Sequence, residues 1–496
     1  MGDDGSRIPY RFDKDADAAS VRARWGAVAA GEETGATVSV AGRVMLVRPM
    51  GKMAFASLQD WTGGIQLWAL DQVTGGFDGF TRLSIGDWVG ATGEVVRTRR
   101  GELSVRVADW VLLAEARRSF GDKWRGVTDV ETRFRQRYVD LWANDEPRRI
   151  LLLRSRMVSL MRRWLEDRGF VEVETPVLHA VPSGGHALPF VTHHNALGTD
   201  LYLRIAIELH LKRLVVGGME KVFEIGRVFR NEGIGYRWNP EFTMLELYQA
   251  YVDYLDIMVL VEELVAHLAR ECCGTTVVAY GGRELDLTPP WRRAAMTELV
   301  EEQTGEAVDL AMGPARLAEV AARLGVEVEP RFGPGAVLLQ IYERTTEAGL
   351  WGPVHVCDYP MEVSPLARDH RSKPGYVERF ESVTAGRELA NAFSEQNDPV
   401  EQRARFEDQA RQRAAGDEEA MVLDDDYLRA MEYGLPPTGG LGVGVDRLAM
   451  LLTNSAHIRE VIAFPTMRPE AGEQPASSRR AAGGQAEGTG TASSRP

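Results

Sequence analysis

VFEIGRVFRNEGIGYRWNPEFTMLELYQAY, residues Val222–Tyr251, decides the fold. Two strand-like runs flank a loop rich in Gly and Asn, which predicts an antiparallel hairpin. By period two, Arg230 and Glu232 share a face of the first run, and Phe242, Met244, Glu246 and Tyr248 share a face of the second. A buried sheet fills such positions with Val, Ile or Leu. Here charged and aromatic groups interleave, while Leu245 and Leu247 make the opposite face apolar. A solvated edge strand is the plainer explanation, but it does not account for the interleaved rings. The pattern favours a ligand site on a sheet face.

Working outward, 496 residues exceed what one small core organises, so two or more domains are expected. A hydrophobic share of 44% and a charged share of 26% place the chain among ordinary globular proteins. No run of about twenty apolar residues occurs, so no membrane span is expected. The start, MGDDGSRIPYRFDKD, lacks the apolar core of a secretory signal, and Asp3 and Asp4 fit myristoylation poorly. The three cysteines (Cys272, Cys273 and Cys357) form no CxxC pair or Cys/His cluster. That argues against zinc and redox chemistry and suits a reducing, cytoplasmic setting. A net charge of −14 argues against nonspecific binding of polyanions, so any nucleic acid must be met by local patches.

From the N-terminus, Asp17–Ala30 reads as a short helix with Val21, Trp25 and Val28 on one face. Between Thr37 and Glu115, five strand-like runs broken by Gly-containing turns predict a small Greek-key barrel of the oligonucleotide-binding type. Within it, Arg48, Phe55, Gln66 and Glu102 are candidates to stack on bases and read their edges. For Trp61 and Trp68, each taken alone, core or turn packing is the plainer reading. A polar connector spans Phe120–Asp145, and Glu146–Arg168 is predicted as a long helix with an apolar stripe at Ile150, Leu153, Met157, Met161 and Leu165. Its arginines, Arg154 among them, read as a solvated face. Gly169 terminates it, and FVEVETPVL then meets Pro176, which prefers a sheet edge or a subunit boundary.

From here the phrases accumulate. GFVEVETPVL (Gly169–Leu178), FRNEG with NPEFTMLELY (Phe229–Tyr248) and GLGVGVDRL (Gly440–Leu448) stand in the order of the three class II motifs. VTHHNAL, DYPMEVSPLAR, GRELANAFSE and NSAHIREVIAFPTMRP accompany them. The chain resembles a class II aminoacyl-tRNA synthetase, specifically the bacterial lysyl-tRNA synthetases, from about Ile8 to Pro469. The marks of the other synthetase class, HIGH and KMSKS, are absent from it.

The resemblance implies an α+β multidomain chain. Residues 1–118 would hold the N-terminal helix and a five-stranded barrel that binds the anticodon. Residues 119–469 would form a catalytic domain on an antiparallel sheet flanked by helices, with a small helical insertion over about 297–348. Residues 470–496, rich in Gly, Ala and Ser, should be a disordered tail. The implied reaction joins L-lysine to tRNA(Lys) through a lysyl-adenylate, with ATP as substrate and Mg2+ as cofactor. The Gly169–Leu178 segment would make a homodimer interface.

The residue chemistry agrees. Adenylyl transfer needs phosphate charge neutralised and a carboxylate held in line. Arg230 and Arg447 offer planar forks for phosphate. By resemblance, Arg230 meets the α-phosphate and substrate carboxylate, and Arg447 the γ-phosphate. Phe242 would stack on adenine, Glu232 would lie at its edge, and Arg237, Trp238 and Asn239 would belong to the nucleotide site. If Ala385–Gly386 makes a tight turn, Val383 faces Glu388 and Glu381 is its diagonal neighbour, ~7–8 Å away, suitable for holding magnesium with phosphate oxygens. The implied lysine pocket comprises Gly185, Glu208, Glu246, Tyr248, Asn391, Phe393 and Glu395, since a buried ammonium needs carboxylate partners. An arginine side chain would be too broad for such a pocket, and acidic or amide side chains would be repelled or left unpaired. GLGVGVDRL lacks the strand–turn–helix spacing of a dinucleotide motif; its glycines read as clearance for ATP.

The chain departs from the family's phrases at GGHALPF (Gly184–Phe190), at Ile207 and His210, and at Trp238, where a histidine is usual. An active lysine-charging enzyme is the leading expectation, with a diverged second copy for inhibitor resistance or a side pathway as one form of it. A catalytically silent tRNA- or ligand-binding paralogue and an enzyme lysylating protein are the alternatives.

Overall fold

The computed structural model describes residues 8–118, 127–182 and 184–470. The tail from 471 onward and part of the polar connector, 119–126, lie outside the described residues. The chain divides into two compact units, 1–129 and 130–496, and the boundary expected after residue 118 falls beside that connector.

The first unit is a closed barrel. Its strands run Glu33–Met50, Met53–Asp60, Gly63–Leu70, Leu103–Ala114 and Trp88–Arg97 around the barrel. Alternation does the sorting: Ala54, Ala56, Leu58, Ile65, Leu67, Val105 and Val107 point inward and are buried. Gly93 sits at a bulge where a Cβ would lie 2.0 Å from the Arg106 carbonyl oxygen, so only glycine fits. The N-terminal helix is shorter than expected, Ala18–Trp25, because Asp17 and Ser20 form a capping box and Gly26 follows its last turn.

The second unit is built on an eight-stranded sheet. From edge to edge it reads Arg292–Ala295, Val354–Pro360, Tyr376–Val383, Glu388–Ser394, Thr438–Gly444, Glu241–Ala250, Lys221–Phe229 and Val171–Glu172. Neighbours are antiparallel except at the two edges, where the short strands pair parallel. One face carries Phe223, Leu245, Leu247, Phe380, Ala390, Ala392, Leu441 and Val443. Helices Asp145–Glu166, Tyr254–Cys273 and Val445–Thr453 cover that face and form the main core with it. The other face is left for chemistry. The insertion is helix-rich, as expected, with Met296–Thr304, Gly313–Arg323 and Pro334–Thr345.

Two expectations are corrected here. The hairpin strands are Lys221–Phe229 and Glu241–Ala250, so Arg230 and Glu232 lie beyond the first strand. The Arg230 N–H donates to the Pro240 carbonyl at 2.8 Å and the Asn231 N–H to that of Leu188 at 2.8 Å, which takes the chain out of the ladder into a loop. Period two therefore does not govern those residues. Arg154 is not part of a solvated face either. Its guanidinium contacts Asp446, donates to the Val461 carbonyl at 2.8 Å and to Thr243 Oγ1 at 3.1 Å, while Asp446 accepts the Thr243 N–H at 2.7 Å. Long helix, hairpin and third motif meet on this ion pair.

Arg154→Met would leave Asp446 buried without its cation. We expect about 3 kcal/mol lower stability for the catalytic unit, measured by urea unfolding of the full chain.

Candidate active site

The open face of the sheet is assembled by register. One row of cross-strand neighbours runs Glu224, Glu246, Gly442, Asn391, Glu381; the next runs Val222, Tyr248, Gly440, Phe393, Arg379. Every strand contributes by alternation, and the central strand contributes glycine. A Cβ on Gly440 would fall 1.9 Å from Glu395 Oε1 and 2.6 Å from the Tyr248 ring, and one on Gly442 would fall 3.1 Å from Met244 Cε. The glycines thus make the floor over which neighbouring side chains lean. Gly440 clears space for Glu395 and Tyr248, a different reason from the close approach to ATP expected of these glycines.

Above this floor lies a cavity of about 640 Å3. It is lined by Gly185, Glu208, Glu246, Tyr248, Asn391, Phe393 and Glu395, together with Arg230, Arg379, Glu381 and Glu388. The whole expected lysine set is therefore gathered round one space. Glu208 opens the helix Glu208–Val216, where its charge meets the positive end of the helix dipole. Glu246 Oε1 accepts the Ile207 N–H at 3.0 Å, and its Oε2 accepts the Tyr248 hydroxyl at 3.4 Å. Burial, then the nearby Glu208 charge, pushes the Glu246 carboxyl up to about 7. Glu395 is fully buried, and neither of its oxygens accepts a well-formed hydrogen bond. Its Oε2 touches the Lys212 ammonium, while Oε1 leans over the cavity floor at Gly440.

At the other end of the cavity, Ala385 (φ 53°) and Gly386 (φ 67°) form the tight turn that joins Tyr376–Val383 to Glu388–Ser394. Val383 does face Glu388, but a register shift between Ser382 and Val383 intervenes, since Ser382 pairs with Ala390. The extra residue, Leu389, drops into the core, and the bulge returns Glu388 to the cavity face. Strict alternation from Asn391 would have buried it. Glu388 and Glu381 then repel: burial and the neighbouring Glu388 raise the Glu381 carboxyl. Arg447, with Arg230 and Arg379, outweighs burial to hold Glu388 below its ordinary value. Arg447 Nη1 donates to both Glu388 Oε2 and the Glu388 carbonyl at 2.8 Å.

Arg230 lies over the Phe242 ring at 5.2 Å, and its buried Nε has no acceptor, leaving donor capacity directed at an anion. The rest of the nucleotide set lies outside the cavity lining. Glu232 and Trp238 are exposed, and Trp238 stands edge-on to Tyr236 above Gly235. Arg237 stacks on Tyr236. Asn239 corrects its expected role in part: its amide donates to the Glu241 carbonyl at 2.7 Å and accepts the Thr466 N–H at 3.2 Å, so both ends are committed to fixing the loop.

Three contributors were missed. Lys212 is completely buried, with its ammonium 2.5 Å from Glu208 and in contact with Glu395. The Glu208/Lys212 spacing was a visible i,i+4 signal, but such pairs usually sit on exposed helix faces. Arg379 bridges Asn391 at 3.0 Å and Glu381 at 2.6 Å. The insertion, to which no chemistry was assigned, places Ala336, Leu339, Gln340 and Glu343 in the cavity wall.

On the barrel, Arg48 faces Phe55, Phe55 faces Trp68, and Gln66 faces Ser104 across neighbouring strands. Arg48, Phe55, Gln66 and Trp68 point outward, opposite the inward Leu67 and Ala69. Phe55 and Trp68 stack at 6.1 Å and 13°, so Trp68 is not core packing, and its indole N–H has no acceptor. Gln66 Oε1 accepts the Ser104 hydroxyl at 2.8 Å, beyond the turn that carries Glu102.

A family model for tRNA synthetases class II (D, K and N) matches residues 129–468, and one for an OB-fold nucleic acid binding domain matches 38–113. A lysine–tRNA ligase of Prochlorococcus marinus (strain MIT 9313) is 53% identical over 480 residues, covering 93% of this chain and 94% of the relative. One from Moorella thermoacetica (strain ATCC 39073 / JCM 9320) is 52% identical over 441 residues, covering 88% and 90%. One from Synechococcus sp. (strain CC9902) is 54% identical over 447 residues, covering 89% of each.

Gly440→Ala should displace Glu395 or Tyr248, both of which lean over this position from the cavity wall. The expected cost is about 1–3 kcal/mol, read as a lower melting temperature in calorimetry.

Proposed function

The chain belongs to the class II tRNA synthetases of the D, K and N group, and from that premise we propose that it ligates L-lysine to tRNA(Lys) through a lysyl-adenylate. The observation that carries the reading is the cavity's surplus of carboxylates, Glu208 with the buried Glu246 and Glu395, beside the donor-rich Arg230. A ligand fitting this arrangement has ammonium groups and a carboxylate. Lysine has both. The retention of Arg230, Arg447, Glu381 and Glu388 around the same space supports an active enzyme over a silent paralogue.

In the first step a lysine carboxylate oxygen bonds to the α-phosphorus of ATP as the bond to the β-phosphate oxygen breaks and diphosphate departs. Arg230 would hold the reacting carboxylate and α-phosphate, and Arg447 the γ-phosphate. Phe242 would carry adenine, with Glu232 at its edge. Glu246 and Glu395 would hold the side-chain ammonium and Glu208 the α-ammonium, fixing the substrate in line. In the second step the terminal tRNA hydroxyl attacks the acyl carbon and AMP leaves.

Among the described residues no group of three or more His, Cys, Asp or Glu side chains could by itself hold a metal ion. Glu381 and Glu388 supply two carboxylates whose mutual repulsion a cation would relieve, which fits an ion that arrives with phosphate oxygens. Mg2+ so held would neutralise phosphate charge as diphosphate departs.

The barrel's outer face, with Arg48, Phe55, Gln66 and Glu102, is proposed to read the anticodon. Val171 on the edge strand and Val177 and Leu178 beyond it are exposed, and they are proposed to be covered by a second copy, giving a homodimer through Gly169–Leu178. No described helix is long and apolar enough to cross a membrane, and the proposed setting is the cytoplasm.

ATP–diphosphate exchange across the standard amino acids should depend on lysine alone; exchange with no lysine dependence would refute the reading. Because Glu246 must be ionised to hold an ammonium and titrates at about 7 in the ligand-free protein, the KM for lysine should rise as pH falls below 7. It should level off above about 8. Phe55→Ala should raise the KM for tRNA about tenfold in aminoacylation assays, the loss of roughly one stacked base.

A further inference from the structure

Lys212 stands behind the cavity wall and does not line the cavity. It projects from the helix Glu208–Val216 into a fully buried slot. There its ammonium meets Glu208 and Glu395, with the rings of Phe393 at 5.3 Å, Tyr248 at 5.8 Å and Tyr427 at 5.9 Å around it. A lysine placed so deep is costly unless the surrounding negative charge demands it. Glu208, Glu246 and Glu395 are that charge: three carboxylates that line the same cavity.

With all three ionised, as a bound dication would hold them, the carboxylates amount to −3, and Lys212 reduces this to −2. On the reading of the cavity as a lysine site, the substrate's α- and side-chain ammonium groups bring +2, while its carboxylate is matched by Arg230. We propose that Lys212 is a positioning residue that sets the charge of the amino-acid pocket, cancelling one carboxylate from behind so that a ligand with two ammonium groups brings it to neutrality. It acts through Glu208 and Glu395 and touches no substrate. Without it one carboxylate has no counter-charge, and relief comes by taking up a proton, which removes a ligand for the substrate. The two acidic partners outweigh burial and keep Lys212 protonated, so its contribution is constant across the working pH range.

The test measures lysine-dependent ATP–diphosphate exchange between pH 6 and 9 for the full-length wild type, Lys212→Met and Lys212→Gln. The expected result is a KM for lysine raised about 100-fold with kcat changed far less. The acidic limb of kcat/KM should move upward by about one pH unit or more, because the carboxylates lose the positive charge that stands beside them. The glutamine variant keeps a hydrogen-bond donor for Glu208 and covers the case in which methionine does not support folding. A role in packing or hydrogen bonding alone would leave its acidic limb where the wild type has it, and that result overturns the proposal. A wild type with no lysine dependence overturns the lysine reading and this proposal with it. A lysine-dependent wild type beside variants with unchanged KM and limb overturns this proposal alone.

Discussion

The site depends on a steric constraint at the centre of the sheet. Thr438–Gly444 presents glycine at Gly440 and Gly442 to the open face, between strands that present Glu246, Tyr248, Asn391 and Phe393. Removing two side chains from the middle of a pleated surface creates a trough whose walls are the side chains of the neighbouring strands. Nothing larger is compatible with the position of Glu395. The same strand keeps Leu441 and Val443 on its other face, so the trough is backed by the main core. Rigidity below and clearance above come from one alternating sequence.

Charge is the second layer. The trough gathers acidic groups at one end and arginines with a carboxylate pair at the other, and few of them are fully satisfied. Glu395 Oε1 lacks a hydrogen-bond donor, Arg230 Nε lacks an acceptor, and Glu381 and Glu388 share one neighbourhood. Two buried carboxylates outside the cavity lining are paired instead: Glu224 with Arg204 and Thr175, and Asp446 with Arg154 and the Thr243 N–H. The contrast separates framework from site. The paired carboxylates hold the motifs against one another, whereas Arg230 and Glu395 face the space where a ligand of complementary charge would complete them.

How much of this was legible varied residue by residue. Tyr248 and Glu246 were read correctly onto one face, because period two holds along an unbroken strand. Arg230 was misassigned to a strand, because the ladder ends at Phe229 for reasons of tertiary hydrogen bonding with Pro240 and Leu188. Glu388 was placed opposite Val383, but the bulge that makes this possible without burying the carboxylate was not visible in the spacing. Trp68, read as packing, stacks on the outside of the barrel with Phe55, since cross-strand register and not residue type decides such neighbours.

By itself the sequence determined the local periods: five short barrel strands, a hairpin with one chemical face, a glycine-rich strand running into a helix that carries Arg447, and family phrases in order. These follow from interactions between residues close along the chain, where alternation and turn chemistry are enough. Only the tertiary structure decided which of those faces meet. It buried Lys212 between Glu208 and Glu395, turned Arg154 from a surface charge into the tie to Asp446, and brought the insertion's helix to the cavity wall. The reason is physical: whether a charge is solvated or buried depends on strands and helices distant in sequence closing over it, and spacing along the chain carries no record of that closure.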